Sequence, residues 1–165
     1  MRLGKLFLLI GLLLGLGGPG ASAADDVLSL GQTILVPCYS HILVNNRDGK
    51  GDPSTLLLSS MLTVRNPNAK LPLVLKSVAY YSTEGKKLRE FIAQPKTIPP
   101  LGASEFFVEN KDKEGGAGAS FLVIWEAAQP VRGAVAETVN AYFFGTQSLA
   151  FTSPGRVIED KDAKP

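Results

Sequence analysis

The chain has 165 residues, 45% of them hydrophobic, and a formal net charge of +2 at neutral pH. That length and apolar content predict one domain able to bury its own core. Two of the 17 basic residues, Arg2 and Lys5, sit in a leader; without them the basic residues only match the 15 acidic ones, so no global field steers the mature protein toward nucleic acid or anionic lipid.

Arg2 and Lys5 precede an unbroken apolar run over residues 6–16, and Ala21-Ser22-Ala23 supplies small residues at its end. This is the layout of a secretory signal peptide, and cleavage is expected near Ala23. The run is shorter than the roughly 20 apolar residues of a spanning helix, and Gly17-Gly18-Pro19-Gly20 interrupts it. No stable membrane anchor is therefore expected after cleavage. The Leu/Gly/Ala-rich leader has a bacterial character, which predicts a periplasmic or secreted product. Cys38 is the only cysteine and cannot pair within its own chain, so stability must come from apolar burial.

Residues 24–30 read as a short lead-in. Strands are then predicted near 33–37, 41–45, 55–65, 73–82, 88–93, 104–109, 119–126, 135–144 and 147–152, each rich in β-branched or aromatic residues and bounded by turn chemistry. The most polar loop runs over 45–53, and Glu84-Gly85 reads as a hairpin tip. Pro95, Pro99 and Pro100 mark an edge or a crossover between sheets. The stretch 134–144 also has spacings that a helix tolerates, at Val135, Val139 and Ala141 or Tyr142, but its composition favours a strand. Phe121, Val123 and Trp125 alternate with Leu122, Ile124 and Glu126, so this strand should lie centrally in its sheet, with Trp125 as a core anchor. The prediction is an all-β protein: an antiparallel two-sheet β-sandwich of immunoglobulin-like type over 24–158. The charged segment 159–165 reads as a disordered tail.

Several phrases carry a resemblance. Val36-Pro37-Cys38-Tyr39-Ser40-His41-Ile42 comes first, followed by Leu62-Thr63-Val64-Arg65-Asn66 and Ser77-Val78-Ala79-Tyr80-Tyr81. Ala103-Ser104-Glu105-Phe106-Phe107-Val108 and Gly115-Gly116-Ala117-Gly118-Ala119-Ser120-Phe121 follow, ending at Trp125. In this order they resemble a bacterial exported family described only as a domain of unknown function (DUF3124), over nearly the whole mature chain. The resemblance implies small exported proteins with no assigned activity, in which Tyr39-Ser40-His41 is the recurring part of the first motif and Cys38 lies outside the pattern. Arg65-Asn66-Pro67-Asn68, Val78-Ala79-Tyr80 and Ile98-Pro99-Pro100-Leu101-Gly102 are also similar to the immunoglobulin-like sandwich of late-embryogenesis-abundant water-stress domains. That similarity bears on architecture and not on function.

His41 is the only histidine, so any imidazole ligand must be this residue. Cys38 and His41 fall on opposite faces of a regular strand and could share a metal only across a bend, which Pro37 would have to supply. Further ligands would have to come from Glu105, Glu126 or Asp112, with no metal-binding spacing among them. The bland alternative is that Tyr39, Ser40 and His41 tie down a strand end. Cys38 reads as a buried apolar residue or, if exposed in an oxidising compartment, as a thiol free to form mixed disulfides. Gly115, Gly116 and Gly118 lack the Lys-Ser/Thr step and following helix of a phosphate loop, so they read as a tight turn with an exposed recognition edge. Glu105, Glu126 and Glu137 would serve a hydrolase only if two of them faced one another across a cleft.

The expectation is an exported, non-enzymatic binding protein without a cofactor. Its partner is a protein or small molecule of the cell envelope, met at Tyr39, Ser40, His41, Gly115, Gly116 and Gly118. The alternative is a redox- or metal-responsive protein using Cys38 and His41.

Overall fold

The computed structural model describes residues 28–45, 49 and 51–162. The expected signal peptide, the start of the expected lead-in, most of the tip of the 45–53 loop and the last three residues lie outside the described residues. Twelve strands follow in chain order: β1 Leu28–Pro37, β2 His41–Val44, β3 Ser54–Leu57, β4 Ser59–Arg65, β5 Leu73–Tyr81, β6 Lys87–Glu90, β7 Lys96–Ile98, β8 Ala103–Val108, β9 Ser120–Arg132, β10 Val135–Phe144, β11 Gln147–Pro154 and β12 Arg156–Asp162. No helix occurs among the described residues.

One sheet has the order β12-β1-β9-β5-β6, with β7 also on β5; the second has the order β11-β10-β4-β8; β2 and β3 form a separate ribbon. Every pairing is antiparallel. The arrangement is sandwich-like, because one core draws on both larger sheets. Ile34, Val36, Leu73, Leu75, Val78, Tyr80, Phe121, Val123 and Trp125 come from the first, and Leu62, Val64, Phe106 and Val108 from the second. The period-2 pattern is visible in β8, where Phe106 and Val108 are buried while Phe107 is 56% exposed. β9 is central between β1 and β5, and Trp125 is fully buried. The stretch open to a helical reading is strand β10.

Pro99-Pro100-Leu101-Gly102 carries the chain from β7 in the first sheet to β8 in the second. Leu101 takes φ 58° there, the one non-glycine in the left-handed region among the described residues. The run 55–65 is two strands, not one. They break at Leu58, which is fully buried and donates its N–H to the Ser40 carbonyl at 2.9 Å.

Two further expectations need correction. Leu28, Ser29 and Leu30 are not lead-in but the start of β1. The segment 159–162 is not a disordered tail but the second half of β12, paired with β1. Its charges read as solvated because their partners lie far away in sequence. Asp160 accepts from the Gln32 amide at 2.7 Å, Glu159 from the Thr33 hydroxyl at 3.0 Å, and Lys161 pairs with Glu126.

Candidate functional site

Three loops meet at one end of the molecule: residues 38–40 between β1 and β2, 82–86 between β5 and β6, and 109–119 between β8 and β9. The structure brings most of the residues expected at a site together here. Ser40 is buried, and both its backbone N–H and its hydroxyl donate to the Gly116 carbonyl at 3.1 Å. Thr83 holds the same loop from the other side. Its N–H and hydroxyl donate to the Gly115 carbonyl at 2.8 and 3.0 Å, and its Oγ1 accepts from the Gly118 N–H at 2.9 Å. The glycines are thus clamped between two hydroxyl side chains.

Two of them have a specific steric reason. A Cβ on Gly115 would overlap the Tyr80 hydroxyl, and Gly116 takes φ 78° with Thr83 Oγ1 against its missing side chain. The loop is a tight turn pressed onto a buried tyrosine, not a phosphate cradle.

Beneath it lies a polar cluster that sequence reasoning missed. Asn140 Oδ1 accepts from the Tyr39 N–H at 3.2 Å and the Ser60 hydroxyl at 2.7 Å. Its Nδ2 donates to Thr138 Oγ1 and Ser153 Oγ, each at 3.2 Å. Ser60 can also donate to the Tyr39 carbonyl at 3.1 Å, and Thr138 donates to the Pro37 carbonyl at 2.6 Å. Ser60, Thr138, Asn140 and Ser153 are all buried. Together they satisfy the backbone where the chain leaves β1 and bends toward β2, as buried polar groups must be satisfied. The signal was parity: Thr138 and Asn140 share the inward face of β10 with Ala136, polar where apolar is expected.

Tyr39 therefore serves the scaffold through its backbone, while its ring lies 5.6 Å from that of Phe151. Cys38 is buried and donates its N–H to Ala119. Burial, helped by the negative charge of Asp112, pushes its thiol up to about 12, which keeps it protonated and poorly nucleophilic. Burial likewise raises the Tyr80 phenol, with Cys38 and Asp112 adding to it. His41 is half-exposed at the start of β2, its Nδ1 3.3 Å from Ser40 Oγ. Cys38 thus lies in the core and His41 at the surface. Among the described residues, no three His, Cys, Asp or Glu side chains come together as a metal group.

The exposed part of this end is charged. Arg89, Glu109, Lys111, Asp112, Lys113 and Glu114 line an open cleft of about 310 Å³. Within it Arg89 pairs with Asp112 at 2.9 Å, and the Glu114 N–H donates to Asp112 Oδ1 at 3.2 Å. A neighbouring cleft of about 370 Å³ is lined by His41, Thr55, Leu57 and Lys113. Lys113 lines both.

The three glutamates do not form a carboxylate pair across a cleft. Glu126 is on the first sheet, where Lys161 and Lys76 hold its carboxyl below the usual range. Glu105 and Glu137 flank Thr63 on the second sheet, and Glu137 pairs with Arg65 at 2.7 Å.

The family model described as "Protein of unknown function (DUF3124)" matches residues 31–158, and the chain belongs to that family. No curated protein matches the chain. Among solved structures, the crystal structure of Thermotoga maritima 1070 is similar at TM-score 0.40 and 11% identity, covering 76% of this chain and 92% of that one.

Proposed function

From a family that brings no activity with it, we propose an exported, non-enzymatic interaction protein of immunoglobulin-like build, which receives an envelope partner at its charged loop end. The observation that carries this reading is the clamp: Ser40 and Thr83 fix the 115–118 turn from two sides, so the charged segment above it is presented on a rigid base. Preorganised loops lose less entropy on binding. The lining mixes three basic and three acidic residues, which suits a protein surface or a small zwitterion better than a polyanion. The leader over residues 1–23 supports export. The immunoglobulin-like reading is supported by the way the chain changes sheets between β4 and β5, β7 and β8, β8 and β9, β9 and β10, and β11 and β12.

The test is site-specific photo-crosslinking in the native compartment, with the reactive group at Lys113 or Thr55 and, as control, at Lys70 near the opposite end. Adducts expected at the first two positions should disappear when His41→Ala is added. Equal labelling at Lys70, or none at Lys113 and Thr55, would end this reading. A chain recovered in the cytoplasm with residues 1–23 still attached would end the export part.

A further inference from the structure

A sheet edge presents unpaired N–H and C=O groups to any passing strand, and proteins guard such edges with charges, prolines or brevity. Here the edges of the first sheet are guarded. β12 carries Arg156, Glu159, Asp160 and Lys161, and the four-residue β6 carries Lys87, Arg89 and Glu90. In the second sheet, β8 is six residues long and carries Glu105 outward. Its other edge, β11, has none of these devices before its last residue. Gln147–Pro154 contains no charged residue and pairs with β10 over eight consecutive positions with no bulge. Gln147, Ser148, Leu149, Ala150, Thr152 and Pro154 are exposed.

The order of residues in β11 points to one occupant. Gln147-Ser148-Leu149-Ala150-Phe151-Thr152-Ser153 has the same polarity read in either direction about Ala150. Antiparallel pairing of this strand with itself sets Leu149 opposite Phe151, Ser148 opposite Thr152 and Gln147 opposite Ser153. Ala150 then meets its own copy on the axis. Every apolar residue meets an apolar one, no like charges face each other, and the smallest side chain sits at the two-fold. This is the self-complementarity that an isologous contact requires. The neighbouring strand adds to it. Phe143 is 81% exposed and pairs with Ser148, so only one small residue separates it from Thr152 of the second copy. We propose that β11 pairs antiparallel with β11 of a second copy of this chain about a two-fold axis at Ala150, joining two four-stranded sheets into one of eight strands.

One strand pair with a flanking aromatic buries less than the about 1,600 Å² of a standard interface, so the dimer should assemble with concentration and dissociate on dilution. Sedimentation of the whole purified chain should show that monomer–dimer equilibrium. Ala150→Lys, which opposes two ammonium groups on the axis at an exposed position, should abolish the dimer with an unchanged monomer circular dichroism spectrum. Ala150→Cys should give a covalent dimer with diamide as oxidant, each diamide taking two electrons and two protons from the facing thiols. Glu105→Cys on the other edge should not, and the buried Cys38 of the unsubstituted chain should stay silent. A chain that is monomeric at every concentration overturns the proposal. So does a dimer that survives Ala150→Lys, crosslinking through position 105 as readily as 150, or a β11 whose amides gain protection only from a different protein.

Discussion

The two ends of the sandwich solve the same problem with similar parts and finish differently. At the end opposite the charged clefts, Asn66 is buried. Its Nδ2 donates to the carbonyls of Leu71 and Pro99 at 2.8 and 3.1 Å, and lies 3.3 Å from that of Ile98. Its Oδ1 accepts from the Asn68 N–H at 3.0 Å, and Asn68 in turn exchanges hydrogen bonds with the Arg132 backbone at 3.0 Å. Three connections are gathered by two asparagines. At the other end Asn140, Ser40 and Thr83 gather three more, but a charged segment from Glu109 to Glu114 stands above them. Amide and hydroxyl clamps thus belong to the fold, and what distinguishes the candidate site is only what is mounted on its clamp.

That contrast is sharpened first by the two buried asparagines. Asn66→Ala and Asn140→Ala should each cost about 3 kcal/mol, since each strands several buried polar groups, measured by urea denaturation. Both variants should lose stability, yet only Asn140→Ala should reduce crosslinking at Lys113 under conditions where the chain remains folded. Equal loss of crosslinking in both would mean that the ends are not independent. Gly115→Ala should follow at about 2 kcal/mol, because a Cβ there displaces the Tyr80 ring from a packed core. Gly85→Ala, with open space around its missing Cβ, carries only the strain of its positive φ of 77° and should cost less, about 1 kcal/mol.

A smaller difference should appear in acid. The Asn66–Asn68 clamp contains no titrating side chain. At the other end, the Ser82 hydroxyl donates to Glu84 at 2.7 Å and, with a backbone N–H, holds its carboxyl below the usual 4.5. A carboxyl lowered in the folded state stabilises above its ordinary value, and that contribution is lost as pH falls through the lower folded value. Amide exchange corrected for intrinsic pH effects should therefore quicken at Glu84 and Gly85 on acidification below 4.5, and stay unchanged at Asn66 and Asn68. Parallel changes at both ends would remove titration as a distinction.

Much of the fold was legible because alternation, prolines and glycines act locally. Phe106, Phe107 and Val108 announce β8 by parity, and Pro99-Pro100 announces the crossover. What was not legible depends on partners distant in sequence. β12 looks like a solvated charge run until Gln32, Thr33 and Glu126 are beside it. The break at Leu58 is invisible in a run of strand-forming residues with no Gly or Pro between 55 and 65, because the Ser40 carbonyl makes it. The convergence of Ser40 with Gly116 could not be read from either segment, because 75 residues lie between them. Thr83 offers no local signal: a hydroxyl in a hairpin turn looks the same whether it faces solvent or clamps a neighbouring loop.

The smallest stability effect should belong to His41, the residue the sequence made most conspicuous. Its ring is half-exposed, and its 3.3 Å approach to Ser40 Oγ is long beside the 3.1 Å bond that Ser40 makes to Gly116. Removing the imidazole leaves the clamp with its shorter bonds intact, so His41→Ala should change unfolding free energy by less than about 0.5 kcal/mol. Loss of binding with stability unchanged assigns the ring to what is mounted on the clamp. A loss as large as that of Asn140→Ala assigns it to the clamp itself, and the Tyr39-Ser40-His41 element then matches the Asn66–Asn68 end in kind as well as in construction.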